Sequence, residues 1–89
     1  MQGTGSVKVP DGKLVRVSLT YDDRIRSASV TGDFFLEPPE ALSDLEAAME
    51  GLPTDVGESE LVAAIETVDA HLIGFGPADL AEATMEAIR

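Results

Sequence analysis

The sequence predicts an α+β fold: a small antiparallel β-sheet of about three N-terminal strands, covered on one face by about three C-terminal helices. Three observations carry this expectation. Apolar residues alternate with period two through the first third of the 89-residue chain. After Phe35 the apolar spacing changes to threes and fours. Strands come first and helices afterwards, without the strand–helix alternation of a parallel sheet. A chain of this length supports one core, so residues 6–89 are assigned to a single domain. Residues 1–5, with two glycines, are expected to be a disordered N-terminus.

Val7 and Val9 begin the first strand, and Pro10-Asp11-Gly12 is a turn in which proline presets φ and glycine admits positive values. Val15, Val17, Leu19 and Tyr21 then alternate with Arg16, Ser18 and Thr20, the pattern of a strand with one buried face. Asp22-Asp23 reads as a two-residue turn. The return strand runs from Ile25 to Thr31, and its alternation slips between Ile25 and Ala28, which predicts a bulge near Arg26-Ser27. Pro38-Pro39 opens the first helix. Its stripe is Leu42, Leu45, Met49 and Leu52, and Gly51 is its C-terminal glycine. A second helix is expected near 58–69, with Leu61, Val62, Ile65 and Val68 on one face. Gly74-Phe75-Gly76-Pro77 is a joint, and Pro77 opens a third helix on Leu80, Thr84 and Ile88, widened by Ala81, Ala83 and Met85. A three-strand meander is marginal alone, so the helices must cover its apolar face. The face bearing Arg16, Ser18 and Thr20 is left to water or a partner.

Composition removes several chemistries. There is no cysteine, hence no disulfide, thiol nucleophile, thiolate zinc site or iron–sulfur ligation. With the single histidine, His71, no Ser-His-Asp triad or two-histidine metal site has an obvious member to spare, although His71 could still act as an acid or base. It reads as an ordinary loop or helix-end residue. No apolar run approaches the ~18–20 residues that cross a membrane, and MQGTGSVKV lacks the regions of a signal peptide. The expectation is a cytoplasmic protein.

The net charge is −11, unevenly spread. Residues 1–32 hold five bases against three acids, whereas residues 33–89 hold fourteen acids against Arg89. Nucleic-acid binding needs a basic surface to displace counterions, and this chain offers none of sufficient size. The acidic helices fit either a partner-steering surface or a solvated exterior adapted to high salt. Only two lysines beside 17 acids favour the second and a salt-loving source. At roughly 1 M salt the Debye length is about 3 Å, so long-range steering would be nearly abolished.

Motifs for self-sufficient catalysis are missing. Carboxylate pairs such as Glu40/Asp44 and Glu46/Glu50 read as solvated at helical spacing, and a general acid needs burial. Gly74-Phe75-Gly76-Pro77 lacks the preceding strand and downstream spacing of a nucleotide fingerprint. Residues 55–60 lack the twelve-residue calcium-loop pattern. Lys8 and Lys13 flank the first turn. They serve either to guard a sheet edge or to approach an anion held by a partner.

Taken together, K-V-P-x-G-K-L at 8–14, T-G-D-F-F-L at 31–36 and L-E-x-x-x-x-G-L at 45–52 resemble the small C-terminal domain of lipoate–protein ligases. A looser likeness, I-G-x-x-P-x-D-L, covers 73–80. In bipartite archaeal enzymes of that family this domain is a separate accessory subunit. The resemblance implies a non-catalytic chain that forms a heterodimer with a large catalytic ligase subunit. It would support ATP-dependent formation of lipoyl-adenylate, ahead of transfer to a lysine of a lipoyl acceptor domain. ATP, Mg2+ and lipoate are then expected in the partner, with no cofactor or metal bound by this chain alone. The excess of acid departs from the family and is assigned to salt adaptation. Lys13, and after it Lys8, become candidates for reaching the phosphate charge. The alternative is a salt-adapted interaction domain unrelated to lipoate.

Gly32-Asp33-Phe34-Phe35 reads as the joint between sheet and helices. Gly32 permits an unusual backbone angle, and Asp33 bonds nearby amides in the turn. Phe34 and Phe35 point to opposite sides of an extended chain, one into the core beneath the first helix and the other toward a docking surface. Lys8, Lys13, Gly32, Asp33, Phe34 and Phe35 are thus the residues expected to face a partner or its active site; none is expected to be catalytic.

Overall fold

The computed structural model describes residues 1–10 and 13–88. Three antiparallel strands, β1 (Gln2–Lys8), β2 (Leu14–Tyr21) and β3 (Ile25–Gly32), form a meander in the order β1-β2-β3. Three helices follow: α1 (Ala41–Met49), α2 (Glu58–Glu66) and α3 (Pro77–Ile88). The α+β arrangement is therefore the expected one. The turn assigned to Pro10-Asp11-Gly12 includes Asp11 and Gly12, which lie outside the described residues.

The alternation in β2 does what its period requires. Val15, Val17, Leu19 and Tyr21 are buried, and Arg16, Ser18 and Thr20 are exposed. Helices cover the inner face. Leu45 and Met49 of α1, Leu61 and Ile65 of α2, and Leu80, Ala81, Ala83 and Ala87 of α3 join the sheet valines in one core. Thr84 is fully buried among them, and its hydroxyl donates to the Leu80 carbonyl at 2.8 Å. The bulge falls where the alternation slips. Thr20 pairs with Ser27 and Tyr21 with Ile25, so Arg26 is the extra residue.

Four expectations are corrected. Residues 1–5 are not disordered, because β1 begins at Gln2. Their glycines let the strand lie directly on α3: a Cβ at Gly3 would sit 1.8 Å from the Ala87 carbonyl oxygen, and one at Gly5 2.0 Å from that of Ala83. The Asp22-Asp23 turn takes in Arg24, whose amide donates to Asp22 Oδ1 at 3.0 Å. The second helix ends at Glu66 rather than near 69, with Thr67 bonding back to the Ala64 carbonyl. Finally, a second two-stranded sheet is present, in which β4 (Phe35–Glu37) pairs antiparallel with β5 (His71–Ile73). His71 therefore lies on an exposed strand, not in a loop or at a helix end.

The helix carboxylates are also less idle than expected. Along the free edge of β3, the Val30 amide donates to Glu46 Oε2 at 2.8 Å and the Ala28 amide to Glu50 Oε2 at 3.1 Å. Near the β1 edge, the Ser6 amide meets Glu86 Oε1 at 3.5 Å. Side chains of α1, of its C-cap Glu50 and of α3 thus take up strand donors that would otherwise face water or another chain.

Candidate functional site

The joint between sheet and helices is built around Leu14, the first residue of β2. At the end of β3, Gly32 has φ of 152°, and a Cβ there would lie 2.0 Å from the Leu14 carbonyl oxygen. Only glycine fits this approach. Asp33 then grips Leu14 from both sides. Its amide donates to the Leu14 carbonyl at 3.2 Å, and its Oδ1 accepts from the Leu14 amide. Asp33 was expected to bond within its own turn; it reaches across to β2 instead.

The two phenylalanines diverge as the extended backbone demands. Phe34 is half-buried, and its ring lies 4.4 Å from that of Phe75, tilted by 46°. It packs against the core as expected, its ring meeting the joint before α3 and lining one groove with Leu42 of α1. Phe35 is 67% exposed and pairs across β4–β5 with Ile73, itself 38% exposed. Lys13 crosses this exposed ring with Nζ 5.9 Å from its centroid, a cation–π arrangement. The lysine stem is supported by Gly74, where an added Cβ would come within 3.3 Å of Lys13 Cγ. Beside them, Thr31, Phe34, Phe35, Leu36, Pro39 and Leu42 line an open groove of about 420 Å³.

Five of the six expected residues therefore gather at one end of the sheet: Lys13 and Phe35 on the surface, Gly32, Asp33 and Phe34 fixing the backbone beneath. Lys8 pairs with Leu14 in the β1–β2 ladder, so it belongs to the same end without joining that cluster. The strands β4 and β5 went unseen in the sequence, because three residues are too few to display a period. The signal that could have found β5 is the apolar pair Leu72-Ile73 immediately before Gly74.

Chemically, the cluster offers one ammonium group, two apolar rings, backbone and the Asp33 carboxylate, which is engaged by the Leu14 amide. Among the described residues no group of three or more His, Asp or Glu is placed to hold a metal ion. Among them, too, no helix is long and apolar enough to cross a membrane.

No family model and no curated protein matches this chain. It is similar to one chain in the structure of an archaeal lipoylation system from Thermoplasma acidophilum, comprising a bi-partite lipoate protein ligase and its E2 lipoyl domain. The match has a TM-score of 0.78 and 24% identity and covers 94% of each chain. Equal coverage means that two small chains correspond end to end; at this identity the likeness establishes a shared fold.

Proposed function

We propose that this protein is the non-catalytic accessory subunit of a bipartite lipoate–protein ligase. It pairs with a large catalytic subunit and supports ATP-dependent formation of lipoyl-adenylate, for lipoylation of acceptor-domain lysines. The observation that carries the reading is the end-to-end match of fold to a chain of a bipartite ligase system. The T-G-D-F-F-L stretch meets Lys8, Lys13 and Leu14 of the K-V-P-x-G-K-L stretch around the Leu14 joint, which adds support.

The physical role follows from what the site has and lacks. ATP, Mg2+ and lipoate are held by the large subunit, and this chain supplies surface. Closing a cleft during adenylation excludes water and fixes the reacting groups. Lys13 is the residue assigned to the developing phosphate charge. Its stem is braced by Gly74 and its ammonium is steered by the Phe35 ring, so less side-chain freedom is lost on engagement. The acceptor domains are reached through the large subunit.

The test combines the two purified chains in high salt and follows pyrophosphate release with ATP and lipoate. Formation of lipoyl-adenylate should accelerate when this chain is added; equal rates with and without it would end the proposal. Lys13→Ala should slow that step even at a saturating concentration of the large subunit, whereas an unaltered rate assigns the lysine to guarding the sheet. Mass spectrometry of this chain after the reaction provides a further check. A lipoyl group on Lys8 or Lys13 would make the chain an acceptor rather than an accessory subunit.

A further inference from the structure

The outward face of the main sheet differs from the rest of the surface. Alternate positions from Gln2 to Lys8 on β1, Leu14 to Thr20 on β2, and Ser27 to Thr31 on β3 point away from the helices. Although the chain has 17 acidic residues, none of these positions holds Asp or Glu. Apart from Gln2 and Leu14, they hold serines, threonines and two cations, Lys8 and Arg16. Ser18, Thr20, Ser27 and Ser29 line a shallow groove on this face.

The other surfaces of the sheet are committed. Helices cover the inner face. Amides on the β3 edge are occupied by Glu46 and Glu50, and Glu86 meets the β1 edge. A partner that adds a strand would have to displace those carboxylates, so the flat face is the open approach. It also continues beyond the strands. Thr31 belongs both to the outward face and to the groove beneath Phe35, which makes the two surfaces contiguous.

We infer that this face, continued through Thr31 to Phe35, is the docking surface for a carboxylate-bearing patch on the large ligase subunit. The inference rests on the accessory-subunit reading above. Hydroxyl and cationic donors meet carboxylate and carbonyl acceptors, and the absence of acid from the strand positions lets an acidic surface approach them without like-charge repulsion. Toward Phe35, the exposed Asp33 carboxylate already accepts from the Leu14 amide. Size requires the extension to Phe35. Three strands about 4.8 Å apart and about 25 Å long present roughly 350 Å². A stable interface buries about 800 Å² per partner. The 67% exposed Phe35 ring adds an apolar anchor at one end.

The cysteine-free sequence makes the test direct. Ser18→Cys and Ser29→Cys each place a single thiol on the face, and Ala63→Cys places one on the exposed side of α2. Maleimide alkylation is timed with and without the large subunit, and co-elution establishes binding. With the large subunit at about ten times its Kd, Ser18→Cys and Ser29→Cys should react roughly tenfold more slowly. Ala63→Cys should react at its free rate. In parallel, Arg16→Glu should weaken co-elution while its melting curve stays that of a folded protein. Equal alkylation of Ser18→Cys and Ser29→Cys despite co-elution overturns the docking face and leaves the accessory role standing. Equal protection at Ala63→Cys overturns it as well. Absence of co-elution removes both.

Discussion

At Gly32 and Asp33 the sequence conveyed a role without its geometry. A Gly-Asp pair after an alternating run signals a strand end, but its shared contact, Leu14, depends on the β2–β3 register. The two phenylalanines behave likewise: period two separates them, yet only the folded chain sets Phe34 against Phe75 and Phe35 under Lys13. A sharper residue-scale expectation concerns Asp22. Hydrogen bonding to the Arg26 guanidinium, followed by the Arg24 amide, holds its carboxyl well below the ordinary value of 3.8. Since the folded-state value is depressed, the contribution to stability is present above the ordinary value and is lost as pH falls through the folded one. Arg26→Gln should raise the Asp22 titration seen by NMR. Its stability deficit at neutral pH should shrink below about pH 4. An unmoved titration would show that the 2.9 Å pair in the structure does not hold in solution.

Among the elements, legibility follows length and pattern. The long strands and all three helices were announced by their periods, down to the bulge at Arg26. The first half of β1 was not, because Gln-Gly-Thr-Gly carries no apolar alternation. That strand is specified by helix residues some 80 positions away, Ala83 and Ala87, which the glycines approach at backbone distance. The carboxylates of α1 were misjudged for a related reason. Helical spacing places Glu46 and Glu50 on one side of α1, but the β3 edge beside them is a tertiary fact. Replacing both by alanine should leave the Ala28 and Val30 amides without these acceptors. About 0.5–1.5 kcal/mol is expected for each bond, since such bonds exchange with water. Denaturant unfolding would measure the loss, and faster amide exchange at Val30 than at Val17 would locate it. Unchanged exchange at Val30 would mean that the glutamates do not guard the edge.

For the molecule as a whole, charge and fold are segregated together. The outward sheet face lacks acid, while the helices and their connections carry most of it, giving fourteen acids to one base beyond residue 32. Self-repulsion of that density opposes compaction and is relieved when salt shortens the Debye length. The melting temperature should therefore rise steadily from low salt to about 1 M, where the Debye length is about 3 Å. A salt-independent melting temperature would refute adaptation to salt and return the acids to a steering role. The acid excess was legible from composition. The outward face was legible on β2 as Arg16, Ser18 and Thr20, but its freedom from acid appears only when three strands are aligned in register.

Tyr21 links regions far apart in the chain. Its carbonyl accepts from the Met1 amino group at 2.8 Å, and its hydroxyl donates to the Ile88 carbonyl at 3.1 Å. The first residue thus contacts the backbone of Tyr21 and the eighty-eighth its side chain, so the two regions lie close together. A short tether could join these points, and new ends could be opened in the exposed connection around Asp55, with every strand and helix kept in place. In such a permuted chain α3 would lead directly into β1, turning the longest-range packing of the molecule into its most local one. Folding should then accelerate with little change in final stability.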